Sequence, residues 1–332
     1  MNAGESKSPR LTIVIPTLNR ASLVGRAIDS ALAQTYPDLE IIVSNNGSTD
    51  GTRGVLERYE GAPRTRIIHR EETVPPSTHG NLLIQEARGE LYLGLSDDDW
   101  LEPEFASQVI DMYDRHPGIA FVWTGCLMHY ADAAMPAATG PEVESGIDFL
   151  AGFLAGSRNI CWCACVTRRE DLKRVGPQPL DAICGDMFYW TKIAPLGEVG
   201  CVARPISNYV VYRDGGDNEA GGTDVLRWAQ DTARWVRDIL AACERGRASL
   251  YSPEQVRRHA GRFLARSVAN QFVWNRLRGT NRLDLVKSIP PTLPYLTGGG
   301  FGIWLRLLAA LVLPRSLLRN RVVAMARANS RR

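Results

Sequence analysis

The chain of 332 residues lacks any apolar run of the roughly 20 residues that a membrane-spanning helix needs. Its first ten residues, Met1–Arg10, are polar, so we expect a disordered N-terminus over 1–10 and no secretory signal. The net charge is only +3, which excludes the strongly basic character of a general nucleic-acid-binding protein. The length still suffices for one large or two modest hydrophobic cores.

Cysteine is sparse, and its number is odd. Seven cysteines in a long chain are typical of a reducing compartment, so we expect a cytoplasmic protein. Cys161, Cys163 and Cys165 alternate along the chain and would share one face of a strand. Zinc ligands usually have wider spacings, so the pattern favours small buried hydrophobic side chains over a zinc site.

Three consecutive carboxylates, Asp97, Asp98 and Asp99, follow the apolar stretch Leu91–Leu95. At the end of a buried strand they repel one another, and burying them unpaired is costly. A divalent cation such as Mg²⁺ or Mn²⁺ would resolve both problems, because hard cations take oxygen ligands and share them with substrate phosphates. The alternative is a solvated acidic turn that caps a helix beginning near Glu102. The acidic run by itself leaves both interpretations open.

Strand and helix signals alternate through the first half of the chain. Apolar, β-rich runs are separated by stretches with helical spacing. The predicted strands cover 11–15, 40–44, 65–69 and 91–95, and the predicted helices lie between them. This order predicts an α/β fold with a Rossmann-like, mostly parallel sheet and helices on both faces. Ligands bind at the carboxyl ends of such strands, where Pro16–Thr17, Asn45–Asn46 and the acidic run all lie.

The rest of the chain is less regular up to about residue 222 and then becomes helical. Strands are predicted at 118–123, 159–167 and 206–212. Helices are predicted at 145–154, 169–175 and 185–194, and a polar loop is predicted at 215–222. Ser252-Pro253-Glu254-Gln255 has the form of a capping box with proline at the first helical position.

Four segments resemble the family 2 glycosyltransferases of GT-A fold. They are TIVIPTLNR at 12–20, SALAQTYP at 30–37, NNGSTDGT at 45–52 and SDDDWLEP at 96–103. Each alone is a weak signal, but four in this order within the first third of the chain are specific. The resemblance implies a GT-A catalytic domain at 11–222 with a nucleotide-binding half, 11–124, and an acceptor-side half, 125–222. A helical region, 223–332, follows.

The resemblance also implies a reaction, namely inverting transfer of a sugar from a nucleoside-diphosphate sugar to an acceptor hydroxyl. Such enzymes use Mn²⁺ or Mg²⁺ and often build bacterial surface polysaccharides or glycolipids, so a saccharide or lipid-linked acceptor is expected. The implied metal ligands are Asp98 and Asp99, with Asp97 beside the nucleotide. The family often shows Asp-x-Asp-Asp here, and Ser96 replaces the first carboxylate.

Pro16, Thr17 and Asn19 match the loop that lies under the nucleotide in the family. On the residues alone, Pro16 could simply end the strand and Asn19 could cap a helix.

Asn45 and Asn46 stand where many relatives carry two aspartates, one of which typically accepts from a pyrimidine ring nitrogen. An asparagine oxygen can still accept, so a pyrimidine nucleotide is favoured. Asn81 matches a polar position that often faces the nucleotide, and its alternative is a surface helix residue.

Asp186 matches the catalytic base that relatives place at a helix start after the metal motif. An inverting enzyme needs such a base to take the proton of the acceptor hydroxyl. The aromatic helix that follows would suit the wall of an acceptor site. A plain helix N-cap is the alternative for this aspartate.

Residues 301–332 combine an apolar run at Ile303–Leu313 with several arginines and no acidic residue. The run is too short to span a bilayer, and we expect it to lie on a membrane surface. A core helix with a solvated basic tail is the alternative.

Two other functions fit parts of the sequence. A nucleotidyltransferase would carry a glycine-rich, basic phosphate loop after the first strand, and residues 16–20 do not match one. A non-catalytic sugar-nucleotide-binding protein would tolerate the loss of Asp186.

Overall fold

The structure is a computed structural model that describes residues 8–130, 133–183, 185–211, 224–246 and 248–320. The strands among these residues are β1 (Leu11–Thr17), β2 (Leu39–Asn45), β3 (Thr65–His69), β4 (Leu91–Gly94), β5 (Trp100–Leu101), β6 (Ile119–Tyr130), β7 (Ala133–Pro136), β8 (Val143–Ser145), β9 (Cys165–Arg168) and β10 (Glu198–Val210). The helices are α1 (Val24–Leu32), α2 (Thr52–Glu57), α3 (Pro76–Glu86), α4 (Phe105–Arg115), α5 (Gly146–Ala155), α6 (Arg169–Val175), α7 (Gly185–Ile193), α8 (Val225–Gly246), α9 (Pro253–Arg278), α10 (Arg282–Leu296) and α11 (Phe301–Val312).

The strands form one sheet in the order β3-β2-β1-β4-β9-β6-β10-β5, with β7 beside β6 and β8 beside β10. β1 is parallel to both β2 and β4, β2 is parallel to β3, and β6 is parallel to β10. β9 lies antiparallel between β4 and β6. The predicted mostly parallel sheet is therefore confirmed. The continuous strand β6 crosses the proposed division of the domain at residue 124, and that division stays a prediction.

Side chains that alternate along the central strands bury both faces of the sheet. Ile13 and Ile15 pack with α1, α2 and α4 in one hydrophobic core. Val14 and Ile42 point the other way and pack with α3, α5 and α7 in a second core. Burial on both faces explains why these strands read as continuous apolar runs. Helices on both faces of the sheet are thus confirmed.

The predicted strand at 159–167 is wrong over most of its length. Residues Trp162–Ala164 form a short 3₁₀ helix, and the strand starts only at Cys165. This turn rotates the chain, so Cys161 and Cys163 enter the first core while Cys165 enters the second. The three side chains are buried, as predicted, but they do not share one face. Among the described residues, no group of three or more His, Cys, Asp or Glu side chains is placed to hold a metal ion.

The helices α8 to α11 form the predicted helical C-terminal region. Ser252 makes the predicted capping box with Gln255 at the start of α9. A third core lies between α9, α10, α11 and the beginning of α8. Within the described part of the chain, no helix has both the length and the apolar character needed to cross a membrane. Three predicted features lie wholly or partly outside the described residues, namely the N-terminal segment, the loop at 215–222 and the tail beyond residue 320.

Candidate active site

The carboxyl ends of β1, β2 and β4 lie side by side. Thr17 is in register with Asn45 on the neighbouring strand, and the acidic run follows β4 on the other side. The Thr17 hydroxyl donates a 2.7 Å hydrogen bond to Asp97 Oδ2. The Arg20 Nε atom lies 3.8 Å from Asp97 Oδ1. The predicted nucleotide loop and the predicted metal motif are therefore in direct contact.

Asp99 is completely buried and only partly satisfied. Its Oδ1 atom accepts a 2.9 Å hydrogen bond from the Val210 backbone N–H, but its Oδ2 atom is buried without a hydrogen-bond partner. Burial raises the pKa of this carboxyl well above its usual range, and the neighbouring Asp98 raises it further. A buried carboxylate oxygen without a donor is rare in proteins, and it suits a ligand for a divalent cation.

The short strand β5 explains how Asp99 reaches Val210. Trp100 and Leu101 pair with β10, which draws the preceding residue against the end of that strand. Helix α4 starts only at Phe105, and no side chain caps its N-terminus. The alternative of a solvated acidic turn capping this helix therefore does not describe Asp99.

Arg26 holds the acidic turn from outside, and the sequence patterns did not single it out. Its Nη2 atom donates a 2.6 Å hydrogen bond to the Asp98 carbonyl oxygen. Its guanidinium lies 3.8 Å from the centre of the Trp100 ring, and that ring packs at a tilt against His129. The partners of Arg26 come from distant segments, so local spacing gave no signal for it.

Asp186 lies in the first turn of α7 and is half-buried. Its pKa is raised to about 6, chiefly by burial. Hydrogen bonds from the Met187 and Asp186 backbone N–H groups oppose this rise, and the Asp231 carboxylate adds to it. The bonds to the backbone give Asp186 part of the capping role that was its alternative. A carboxylate with this pKa is ionised at neutral pH and is more basic than an exposed aspartate.

Tyr209 connects the predicted base with the predicted metal ligand. Burial, then the Asp99 carboxylate and, more weakly, Asp186 raise the pKa of this phenol. The same two carboxylates also act on the nearby Cys161 thiol. Asp99 itself lies against the end of β10, where it accepts the hydrogen bond from the Val210 N–H. Asp186 and Asp99 therefore act electrostatically on the same two buried groups, although they are far apart in sequence.

The loop after β1 is tied to the loop after β2 by Asn19. This residue adopts a left-handed backbone with φ of 54°. Its Oδ1 atom accepts a 2.8 Å hydrogen bond from the Thr49 backbone N–H, and its own N–H donates to Ser48 Oγ at 2.9 Å. Asn19 caps no helix, because α1 begins at Val24. Pro16 lies within β1 and does not end it.

The side chains of Asn45 and Asn46 already have partners. Asn45 Oδ1 accepts a 2.9 Å hydrogen bond from the Ser48 backbone N–H. Asn46 pairs with the Val74 backbone in both directions, donating to its carbonyl at 2.8 Å and accepting from its N–H at 3.1 Å. These bonds shape the loops around the candidate site. A contact from either side chain to a nucleotide base stays a prediction.

Asn81 makes a similar double pair. It donates to the Gln178 carbonyl at 3.1 Å and accepts from the Gln178 N–H and the Tyr189 hydroxyl, both at 3.0 Å. This half-buried side chain joins α3 to the segment before Asp186, so it is not a free surface residue. Tyr189 and Trp190 are buried in the second core, which leaves Phe188 as the more open aromatic residue of α7.

We expect Asn46→Ala to destabilise the fold by about 1–3 kcal/mol, because it removes two part-buried hydrogen bonds to the Val74 backbone, each of which contributes about 0.5–1.5 kcal/mol. Urea unfolding measures this, and Asn320→Ala, at an exposed asparagine outside the candidate site, is the matched control. If the substitution weakens nucleotide binding without any loss of stability, Asn46 acts as a ligand contact instead.

Comparison with known proteins finds a family match that includes this edge of the sheet. The model of Glycosyl transferase family 2 matches residues 12–134, which hold the acidic run and the loops after β1 and β2. Over this segment the chain resembles glycosyl transferase family 2.

Curated relatives match stretches of similar length. The hyaluronan synthase of Pasteurella multocida is 36% identical over 121 residues, which are 36% of this chain and 12% of that protein. A GalNAc(5)-diNAcBac-PP-undecaprenol beta-1,3-glucosyltransferase of Campylobacter jejuni is 33% identical over 123 residues, or 36% of this chain and 39% of that one. The match thus spans well under half of these curated relatives.

Solved structures resemble almost the whole chain. S. aureus TarS 1-349 in complex with UDP-GlcNAc has a TM-score of 0.62 at 17% identity, covering 97% of this chain and 88% of that one. The mannosyltransferase PcManGT from Pyrobaculum calidifontis, in complex with GDP-Man and Mn2+, has a TM-score of 0.55 at 22% identity, covering 92% and 87%. At these identities the likeness establishes the fold, and the predicted GT-A architecture with a helical C-terminal region is confirmed.

Proposed function

We propose that this chain is an inverting, metal-dependent glycosyltransferase that transfers a sugar from a nucleoside-diphosphate sugar to an acceptor hydroxyl. The observation that carries the proposal is the buried Asp99 carboxylate at the sheet edge, with one oxygen unpartnered, within the 12–134 segment that matches family 2. Structural neighbours hold UDP-GlcNAc or GDP-Man, which supports a nucleotide-sugar donor. A pyrimidine base remains our preference from the loop at Asn45 and Asn46.

Asp98 and Asp99 are the residues that would hold Mn²⁺ or Mg²⁺. The unpartnered Asp99 Oδ2 atom fits this role, because a cation would satisfy its lone pairs. When bound, the ion would supply positive charge that stabilises the departing nucleoside diphosphate. Asp97 accepts a hydrogen bond from Thr17 and lies near Arg20, and these contacts with the loop after β1 support a role for it beside the nucleotide.

Asp186 is our catalytic base. As the acceptor oxygen attacks the anomeric carbon, its proton passes to the Asp186 carboxylate, and the bond from that carbon to the diphosphate oxygen breaks. Attack from the side opposite the leaving group inverts the anomeric configuration. The pKa of about 6 lets Asp186 accept this proton while remaining ionised at neutral pH.

The acceptor is proposed to be a saccharide or a lipid-linked saccharide in bacterial surface polysaccharide or glycolipid synthesis at the cytoplasmic face of the membrane. Relatives that include a chondroitin synthase of Escherichia coli and the undecaprenol-linked glucosyltransferase support this class.

A thermal-shift screen of nucleotide sugars, each with and without Mn²⁺, tests the proposal. The correct donor should raise the melting temperature only when Mn²⁺ is present, because the proposed donor site includes the metal. A ligand at 100 times its Kd stabilises the native state by about 2.7 kcal/mol. Incubation with that donor should then release nucleoside diphosphate. Stabilisation by a nucleoside triphosphate with pyrophosphate release would favour the nucleotidyltransferase alternative. Donor binding without any turnover on a panel of saccharide acceptors would favour the non-catalytic one.

A further inference from the structure

The exposed apolar side chains of this protein are concentrated on α10, α11 and the residues just after them. Of the thirteen large hydrophobic side chains that are exposed in the described part of the chain, nine lie between residues 283 and 317. They are Leu283, Val286, Leu293, Phe301, Trp304, Leu305, Leu308, Val312 and Leu317. Contiguous exposed apolar surface is uncommon on soluble monomers and usually marks an interaction site.

Helix α11 is apolar on both its inner and its outer face. Ile303, Leu307 and Ala310 form the inner face and are buried in the third core. The exposed residues Phe301, Trp304, Leu305, Leu308 and Val312 repeat at helical spacing along the opposite face. A helix that is apolar all round is normally covered on all sides or in contact with lipid.

Helix α10 presents a second exposed apolar stripe. Leu283, Val286 and Leu293 are exposed, and the intervening Pro290 is exposed between them. α10 and α11 contact each other, and both pack on α9 through their buried sides. Their outer stripes therefore point away from α9, and we call the nine exposed side chains together the outer apolar face.

Positive charge accompanies the outer apolar face. Residues 282–332 contain nine lysines and arginines and a single acidic residue, Asp284, although the whole chain has a net charge of only +3. The remainder of the chain is therefore net negative. Four of the arginines, at 321, 327, 331 and 332, follow the described residues at the end of the sequence.

We infer that the outer apolar face docks on an anionic lipid surface, with the exposed basic side chains of this region, Arg282, Lys287 and Arg315, binding the lipid headgroups. Apolar side chains flanked by basic residues are the combination that binds at the headgroup boundary. A symmetric dimer through this face would bring two strongly basic segments together, so charge disfavours a second copy as the occupant. This inference goes beyond the proposed reaction and does not depend on it.

Vesicle flotation tests the inference with the full chain. Vesicles of phosphatidylglycerol and phosphatidylcholine should carry the protein at low salt, and pure phosphatidylcholine vesicles should carry much less. Raising the salt to about 1 M, where the Debye length is about 3 Å, should release most of the bound protein. Replacing Arg282, Lys287 and Arg315 with glutamine should weaken binding by at least about tenfold, since each basic residue near an anionic surface contributes about fivefold.

Substitutions on the apolar face separate lipid docking from charge alone. Trp304→Ser with Leu308→Ser should weaken binding by about tenfold or more, because both side chains are exposed in the free protein and would be buried in lipid. Leu250→Ser, at an exposed leucine outside this region, is the matched control and should bind as the unmodified chain does. Circular dichroism verifies that each variant is folded.

Several outcomes would overturn the inference. One is failure of the intact chain to float with phosphatidylglycerol vesicles at low salt. Another is a dimer in sedimentation that the Trp304 and Leu308 double variant dissociates, which would make the face a contact between copies. The Asp186→Asn variant should bind vesicles as the unmodified chain does. Vesicle binding therefore tests the docking inference even if the chain shows no glycosyltransferase activity.

Discussion

Asp186→Asn is expected to lower the turnover of glycosyl transfer by about 10²- to 10⁴-fold, the usual effect of removing a general base. The amide keeps the shape of the side chain but cannot accept the acceptor's proton. Donor affinity should hardly change, because the proton is transferred on the acceptor side of the site. Steady-state kinetics with the donor found by the screen measure both quantities. Asp181→Asn, at an exposed aspartate that pairs with Arg234 just before α7, is the matched control and should be nearly fully active.

The pH profile provides an independent test of the same residue. Because burial raises the pKa of Asp186 to about 6, kcat/KM of the unmodified enzyme should fall with decreasing pH below about 6 as this carboxylate becomes protonated. The other ionisable groups around it, namely Asp231, Cys161, Cys165 and Tyr209, all remain in the variant. Asp186→Asn should therefore lose this limb of the profile specifically.

Near-normal turnover of the Asp186→Asn variant would contradict the role of Asp186 as the catalytic base and leave it only the role of a helix N-cap. The stereochemistry of the product gives a further check, since proton transfer to one base in a single displacement requires inversion. A product with retained anomeric configuration would contradict the mechanism even if the variant were inactive.

Removing Asp98 and Asp99 should abolish Mn²⁺-dependent binding of the nucleoside diphosphate. The Arg26 guanidinium and the Val210 N–H, which contact the acidic turn, are hydrogen-bond donors and cannot replace a carboxylate oxygen as a cation ligand. Isothermal titration calorimetry with UDP and with GDP, each with and without Mn²⁺, measures the effect for Asp98→Ala, Asp99→Ala and the double variant. The nucleotide that binds the intact chain more tightly also tests the expected preference for a pyrimidine.

The stability of these variants shows whether the loss is local. Asp99→Asn retains an oxygen for the Val210 N–H and removes a buried charge, so its free energy of unfolding should not fall by more than about 1 kcal/mol. Asp111→Ala on α4, which removes an exposed carboxylate paired with Arg115, is the control for loss of an acidic residue. Unchanged Mn²⁺-dependent affinity in the double variant would contradict the assignment of the metal ligands.

Much of the nucleotide-binding half could be predicted from local pattern. β3 was predicted over its observed length, and β1, β2 and β4 within two residues at each end, because buried parallel strands are short apolar runs bounded by turn residues. Because the carboxyl ends of parallel strands lie at the same edge of a sheet, the prediction of parallel strands also placed Thr17, Asn45 and Asp97 at one edge. The family resemblance rests on the same short segments and was confirmed over 12–134.

The sequence by itself thus determined the fold class, the family resemblance over 12–134 and the edge of the sheet that holds the candidate site, because periodicity and short motifs are local properties. Tertiary structure decided which polar atoms remain available at that edge. Asp99 meets the N–H of Val210, 111 residues away, and keeps one oxygen unpaired, whereas both polar atoms of Asn46 are taken by Val74. It also decided that the outer side of α11 stays exposed. Such outcomes depend on which distant segments pack together, and the spacing of residues along one segment carries no information about that packing.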